Sequence, residues 1–169
     1  FDGVNDYVNA GNVCSMSNRV PFTISAWVKY NAFLTGAILA RGVSGTYIFP
    51  RDYFLATDSS GVWVFQRSNG TTFNTITPAL SAINIWHNVI GTYDGTIMRL
   101  YVDGIEVGNL TSTLNIPNTT NILTIGSGTS NTQFMFWNGL IDEVKIWNYA
   151  RSAEQIRNDY LIGSKHQEE

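Results

Sequence analysis

With 169 residues, the chain is long enough to enclose one hydrophobic core and too short for two. Its 44% hydrophobic content, aromatic residues included, excludes disorder, and the 14% charged residues fall well below the usual quarter. A net charge of −3 with no Lys/Arg run excludes nucleic-acid binding and attraction to anionic membranes, since both need a basic stripe.

The chain opens FDGVNDYVNAG. Asp2, Gly3, Asn5 and Asp6 precede a strand-like YVNA, and such residues suit a turn, a metal loop or the mouth of a binding site. The absence of an initial methionine reads as a module cut from a longer protein, and no apolar run reaches membrane-spanning length. Cys14 stands alone, so no internal disulfide can form, and it reads as a small buried hydrophobe.

FTISAWVKY (22–30) alternates strictly, with Phe22, Ile24, Ala26 and Val28 on one face and Thr23, Ser25, Trp27 and Lys29 on the other. That period of two predicts a half-buried antiparallel strand. YFLATD (53–58) and VWVFQR (62–67) flank Ser-Ser-Gly and predict a hairpin. WHNVIGTY, TIMRLYV and IEVGNL are joined by Asp94-Gly95 and Asp103-Gly104, two hairpin signals in succession, which predict a meander. NILTIGS (121–127) and GLIDEVKIW (139–147) supply two further strands.

One helix is predicted. Ser152 and Gln155 form a capping box, and Ala153, Ile156, Tyr160 and Leu161 an apolar stripe, so the helix starts near Ser152 and ends before Gly163. The division is then a domain over 1–162 and a flexible tail over 163–169. About ten short strands with one late helix describe an all-β, two-sheet antiparallel jelly-roll sandwich.

FDGVNDYV, FTISAWVK, WHNVIGTYDGTIMRLYVDGIEVG and IGSG…FWNGLIDEVKIWNYARSAEQI occur in the order seen in laminin-G-like domains. From Phe1 to about Tyr160 the chain resembles that family, part of the concanavalin A-like lectin/glucanase superfamily. The resemblance implies two curved sheets with the first and last strands adjacent, and an extracellular or surface setting within a larger multidomain protein. It implies partners that are glycans or a protein surface.

It also implies a place for a structural Ca2+ where the two chain ends meet. Asp2 and Asp142 would be its carboxylates, with backbone carbonyls at Gly3 and in the 42–45 loop, Gly45 included, completing the oxygen shell. The residues themselves allow another reading, in which Asp2-Gly3 is a turn and Asp142 accepts hydrogen bonds from the N-terminal loop.

Glucanases of the superfamily carry catalytic carboxylates on one strand, spaced Glu-x-Asp-x-x-Glu, so that alternation aims them at one groove. No such run occurs here. Asp142 and Glu143 are adjacent, which on a regular strand turns them to opposite faces. Any Ser–His–Asp set would need His87, which reads as a strand residue. The chain is therefore expected not to be an enzyme. The leading expectation is a non-catalytic carbohydrate-binding module. A structural or adhesive protein-binding module is the alternative, and an atypical glycoside hydrolase the third.

Sugars present C–H faces that stack on aromatic rings, while amide, carboxylate and guanidinium groups bond their hydroxyls. Trp27, Trp86 and Trp147 lie within the family blocks and read as framework, with the late helix covering Trp27 and Trp147. The candidate ligand-binding residues are Trp63 and Trp137, outside those blocks, with Tyr101 and Arg99 leaving the core face of their strand and Tyr47 near a rim.

Overall fold

Strict alternation along FTISAWVKY makes a strand whose apolar face, Phe22, Ile24, Ala26 and Val28, must find a second layer, and the chain supplies one. The computed structural model describes residues 1–32, 34–42, 52–77, 82–128 and 135–167. Among them the strands are β1 (Val8–Gly11), β2 (Phe22–Tyr30), β3 (Gly36–Arg41), β4 (Tyr53–Thr57), β5 (Trp63–Ser68) and β6 (Phe73–Ile76). They continue with β7 (Trp86–Tyr93), β8 (Ile97–Val102), β9 (Ile105–Thr111), β10 (Leu123–Ile125) and β11 (Gly139–Trp147), before helix α1 (Ala153–Gln167).

The strands form a six-stranded sheet, β1-β10-β3-β4-β5-β6, and a five-stranded sheet, β11-β2-β7-β8-β9. Every named pairing is antiparallel. This is the two-sheet sandwich that the strand pattern predicts, with its one helix at the C-terminal end. Phe1 ties this end of the sequence to the start of β11: its backbone nitrogen donates to Gly139 O at 3.1 Å and its carbonyl accepts Gly139 N–H at 2.9 Å. From Val8 onward β1 pairs with β10, so the N-terminal segment touches both sheets.

The core lies between the sheets. Phe22 packs against Tyr53, Phe65 and Tyr93, at centroid distances of 5.0, 6.3 and 6.1 Å. Gly91 makes this possible, because a Cβ there would meet the Phe65 ring at 2.7 Å. Cys14 packs partly buried against this core as a free thiol.

Two arginines are buried with the core. Arg41 pairs with Asp52, and its other donors reach Thr119, Asn12 and the Val13 carbonyl. Burial pulls the Arg41 guanidinium below its ordinary pKa, and the carboxylate and carbonyls around it supply what a buried charge requires. Arg67 lies 3.5 Å over the Tyr93 ring and donates to Ser112 Oγ and Asn18 O.

Three local expectations change. β2 is buried on both faces rather than half-buried. Helix α1 covers its outer side, Trp27 stacking on Tyr160 with centroids 5.8 Å apart and Ile156 packing on Ile90 and Tyr101. The helix also runs through Gly163 to Gln167 instead of ending before the glycine. Its start follows the capping box, with Ser152 N–H donating to Gln155 Oε1 and Gln155 N–H to Ser152 Oγ.

The third change is in β11, where a bulge between Asp142 and Lys145 breaks the alternation and Glu143 adopts φ 50°. Asp142 then pairs opposite Trp27, and Glu143 lines a cavity beside that same ring. The two carboxylates therefore share the outer side of the sheet and do not point to opposite faces. Among the described residues, no helix is long and apolar enough to cross a membrane.

Candidate functional site

Alternation on β4 and β5 sends Tyr53, Leu55, Trp63, Phe65 and Arg67 inward and leaves Phe54, Ala56, Val64 and Gln66 on the outer face. The register aligns Ala40, Phe54, Gln66 and Thr75 in one row across four strands. A bulge between Ala37 and Leu39 turns both Ile38 and Leu39 to the core, while Ala37 joins the outer cluster. Three small residues, Ala37, Ala40 and Ala56, thus lower the floor beside the larger Phe54 and Val64.

The result is a groove of about 280 Å³ on the outer face of the six-stranded sheet. Phe54 and Val64 form its floor, and Phe73 and Met135 contribute apolar walls. The Phe73 ring is 49% exposed. Thr35, Thr75 and Thr77 place hydroxyls around this apolar surface. Gln66 is buried; its Nε2 donates to Thr75 Oγ1 at 3.0 Å, and its Oε1 has no hydrogen-bond partner. A buried amide oxygen left unpaired costs about 1–3 kcal/mol. Asp58 is the one charged residue in the described lining, and its Oδ1 accepts the amides of Ser60 and Val62 in its own turn.

The opposite, helix-covered face holds two further cavities, of about 280 and 370 Å³, on either side of Trp27. Their charged groups are largely paired with one another: Glu143 with Lys145, and Asp159 with Arg151.

The residues singled out from sequence are scattered. Trp63 and Trp137 are 1% and 0% exposed, so neither presents a ring face to a sugar. Trp63 meets His87 edge-on, and Trp137 stacks on Tyr30 at 5.0 Å while donating its indole N–H to Leu140 O. Both are core residues, a correction that follows from the inward face of β5 and the close apposition of the segment before β11. Tyr101 is buried under α1, its hydroxyl donating to Glu106, and burial followed by the Glu106 charge pushes its pKa up to about 12. Arg99 sits on that same sheet, 2.7 Å from Asp94. Neither belongs to the six-stranded sheet that carries the groove. Tyr47 and Gly45 lie outside the described residues.

Phe54, Gln66, Phe73 and Met135 were not singled out. The alternation that groups Trp63, Phe65 and Arg67 on one face also groups Val64 and Gln66 on the other, and that was the available signal.

The proposed calcium carboxylates do not fit one ion. Asp2 bridges to Asn138, four residues before Asp142 on the same line of backbone, which separates them by roughly 13 Å along the strand. Each is also used locally, Asp2 Oδ1 accepting Val4 N–H and Asp142 Oδ1 accepting Glu143 N–H. Gly3 has φ 81°, as a turn demands. Among the described residues no three His, Cys, Asp or Glu side chains gather into a metal site.

A laminin-G-like family profile, described as the Concanavalin A-like lectin/glucanases superfamily, matches residues 2–157. The chain belongs to this superfamily. No curated protein matches it in sequence. Among solved structures, it is similar to the CBM40 of the Ruminococcus gnavus IT-sialidase, bound there to α2,3 sialyllactose. The TM-score is 0.75 at 14% identity, over 95% of this chain and 96% of that one. It is also similar to domain 4 of AbnA, a GH43 extracellular arabinanase from Geobacillus stearothermophilus, in complex with arabinotriose. Here the TM-score is 0.64 at 16% identity, over 88% of this chain and 68% of that one. The binding domain of Paraclostridial Mosquitocidal Protein 1 gives a TM-score of 0.70 at 13% identity, over 94% of this chain, but the chain spans only 42% of its length. At these identities the likeness is one of fold.

Proposed function

We propose that this superfamily member is a non-catalytic carbohydrate-binding module of a larger extracellular or surface protein, and that the groove on the six-stranded sheet is its site. One juxtaposition carries the reading: the exposed Phe73 ring stands in the same groove as Gln66, whose buried amide oxygen is unpaired. An aromatic wall receives the C–H face of a sugar, and the amide exchanges a hydrogen bond with a ring hydroxyl whichever way it turns, because a hydroxyl both donates and accepts. A purely apolar ligand would leave that amide unpaired. The sialyllactose and arabinotriose bound to two proteins of this fold support the same class of ligand.

Hydrolysis of a glycosidic bond needs two carboxyl groups about 5–9.5 Å apart across the scissile bond. The described lining of the groove supplies one, Asp58, and it is committed to a turn. His87 is held at both ends, by Asp103 at 2.7 Å and by the Ala82 carbonyl at 3.2 Å, which leaves neither nitrogen facing a nucleophile.

The test is a glycan array on this chain, alongside Phe73→Ala and Gln66→Leu. The expected result is binding by the parent chain, lost in both variants while their circular dichroism and melting curves stay near parental. An array with no bound glycan would overturn the proposal.

A further inference from the structure

We infer that the groove selects uncharged sugars, so that the ring seated on Phe73 and Gln66 carries no carboxylate, sulfate or phosphate. The inference rests on the glycan reading and narrows its substrate class.

The ground for it is how the chain distributes its cations. The six-stranded sheet contains two, Arg41 and Arg67, and both are fully buried with their guanidinium groups turned to Asp52, Asn12 and Thr119 or to Ser112 and the Tyr93 ring. The strand and helix cations Lys29, Arg99, Lys145, Arg157 and Lys165 belong to the other sheet and to α1. No Lys, Arg or His appears in the described lining of the groove, and its one charge, Asp58, is negative.

An anionic ring entering this groove would shed hydration over an apolar floor and meet no counter-charge, which is the costly way to bury an ion. Asp58 would add a like charge at the margin. The face of the Phe73 ring, negative in its quadrupole, would add a second repulsion. Neutral hydroxyls meet the opposite situation, since the Gln66 amide and the threonine hydroxyls replace the water that they lose. An anionic sugar would need a cationic partner, which the described lining of this groove does not present.

The test is binding of matched pairs that differ only in charge: a galactose-terminated oligosaccharide against its sialylated and sulfated forms, and a galactan against a polygalacturonate oligomer. Titration calorimetry should show the neutral member of each bound pair at least tenfold tighter. Asp58→Asn, which keeps the acceptor for the turn amides, should narrow the gap. Thr75→Lys, which puts a cation beside Gln66, should narrow it further. Equal or tighter binding of the charged members by the parent chain would overturn the selectivity and leave the glycan reading standing. Failure to bind any neutral or charged glycan would overturn both.

Discussion

Trp27 and Gly163 approach so closely that a Cβ built on the glycine would lie 2.5 Å from the indole nitrogen. Glycine inside a helix costs about 1 kcal/mol relative to alanine. The chain accepts that cost at the point where α1 lies on β2, because the indole fills the space that a side chain would need. Two effects therefore oppose each other in Gly163→Ala: a gain in helix propensity of about 1 kcal/mol and an overpacking loss of about 1–3 kcal/mol. The loss should win, lowering the midpoint of urea denaturation. A midpoint that rises would mean the helix does not rest on Trp27.

The exchange of Trp137 and Phe73 between core and surface has a direct thermodynamic signature. Trp137→Ala removes a buried indole stacked on Tyr30 and should cost about 3–5 kcal/mol. Phe73→Ala truncates a half-exposed ring and should stay within about 1 kcal/mol of the parent. Equal losses in chemical denaturation would show that Phe73 is a structural residue and weaken its assignment to the groove.

Alkaline stability should report on Tyr101. Its pKa is pushed up to about 12, by burial first and by the Glu106 charge second, against about 10 in an unfolded chain. Between these values the unfolded state has lost its phenolic proton while the folded state holds it. Stability is then intact below about pH 10 and falls as the pH rises toward about 12. Tyr53, raised in the same direction by burial, adds to the fall. Tyr101→Phe should make the decline shallower in melts taken across this range. An unchanged slope would contradict the burial of that hydroxyl under α1.

Calcium gives a fourth measurement. Because Asp2 and Asp142 sit apart and each serves a local amide, adding a chelator should leave the melting temperature unchanged. A fall of several degrees, reversed by calcium, would place an ion elsewhere in the molecule, since an ion stabilises only the state that binds it.

The elements most legible in the sequence are those whose local signal and tertiary environment agree. FTISAWVKY and GLIDEVKIW carry strand signals over the same residues that β2 and β11 occupy. Asp103-Gly104 closes a tight turn with φ of 53° and 78°. Asp94-Gly95 looks the same in sequence but behaves differently. Asp94 turns its carboxylate onto the amides of Thr96 and Ile97, and β8 begins only at Ile97, giving a wider turn. GAILAR carries no period because a bulge and two-sided burial erase it.

The outer face of β4 and β5 was hidden for a specific reason. Periodicity groups Trp63, Phe65 and Arg67 but does not say whether that face turns inward. The Arg67 guanidinium lies over the Tyr93 ring within the core, so the less conspicuous side chains, Val64 and Gln66, form the outer surface.

The pairing of Phe1 with Gly139 also shields a margin. β11 is an outermost strand, and Phe1 and Asp2 occupy part of its free rim. Trimming those two residues would bare main-chain donors and acceptors able to recruit a strand from another molecule. A variant lacking Phe1 and Asp2 should therefore self-associate in storage before it loses its secondary structure.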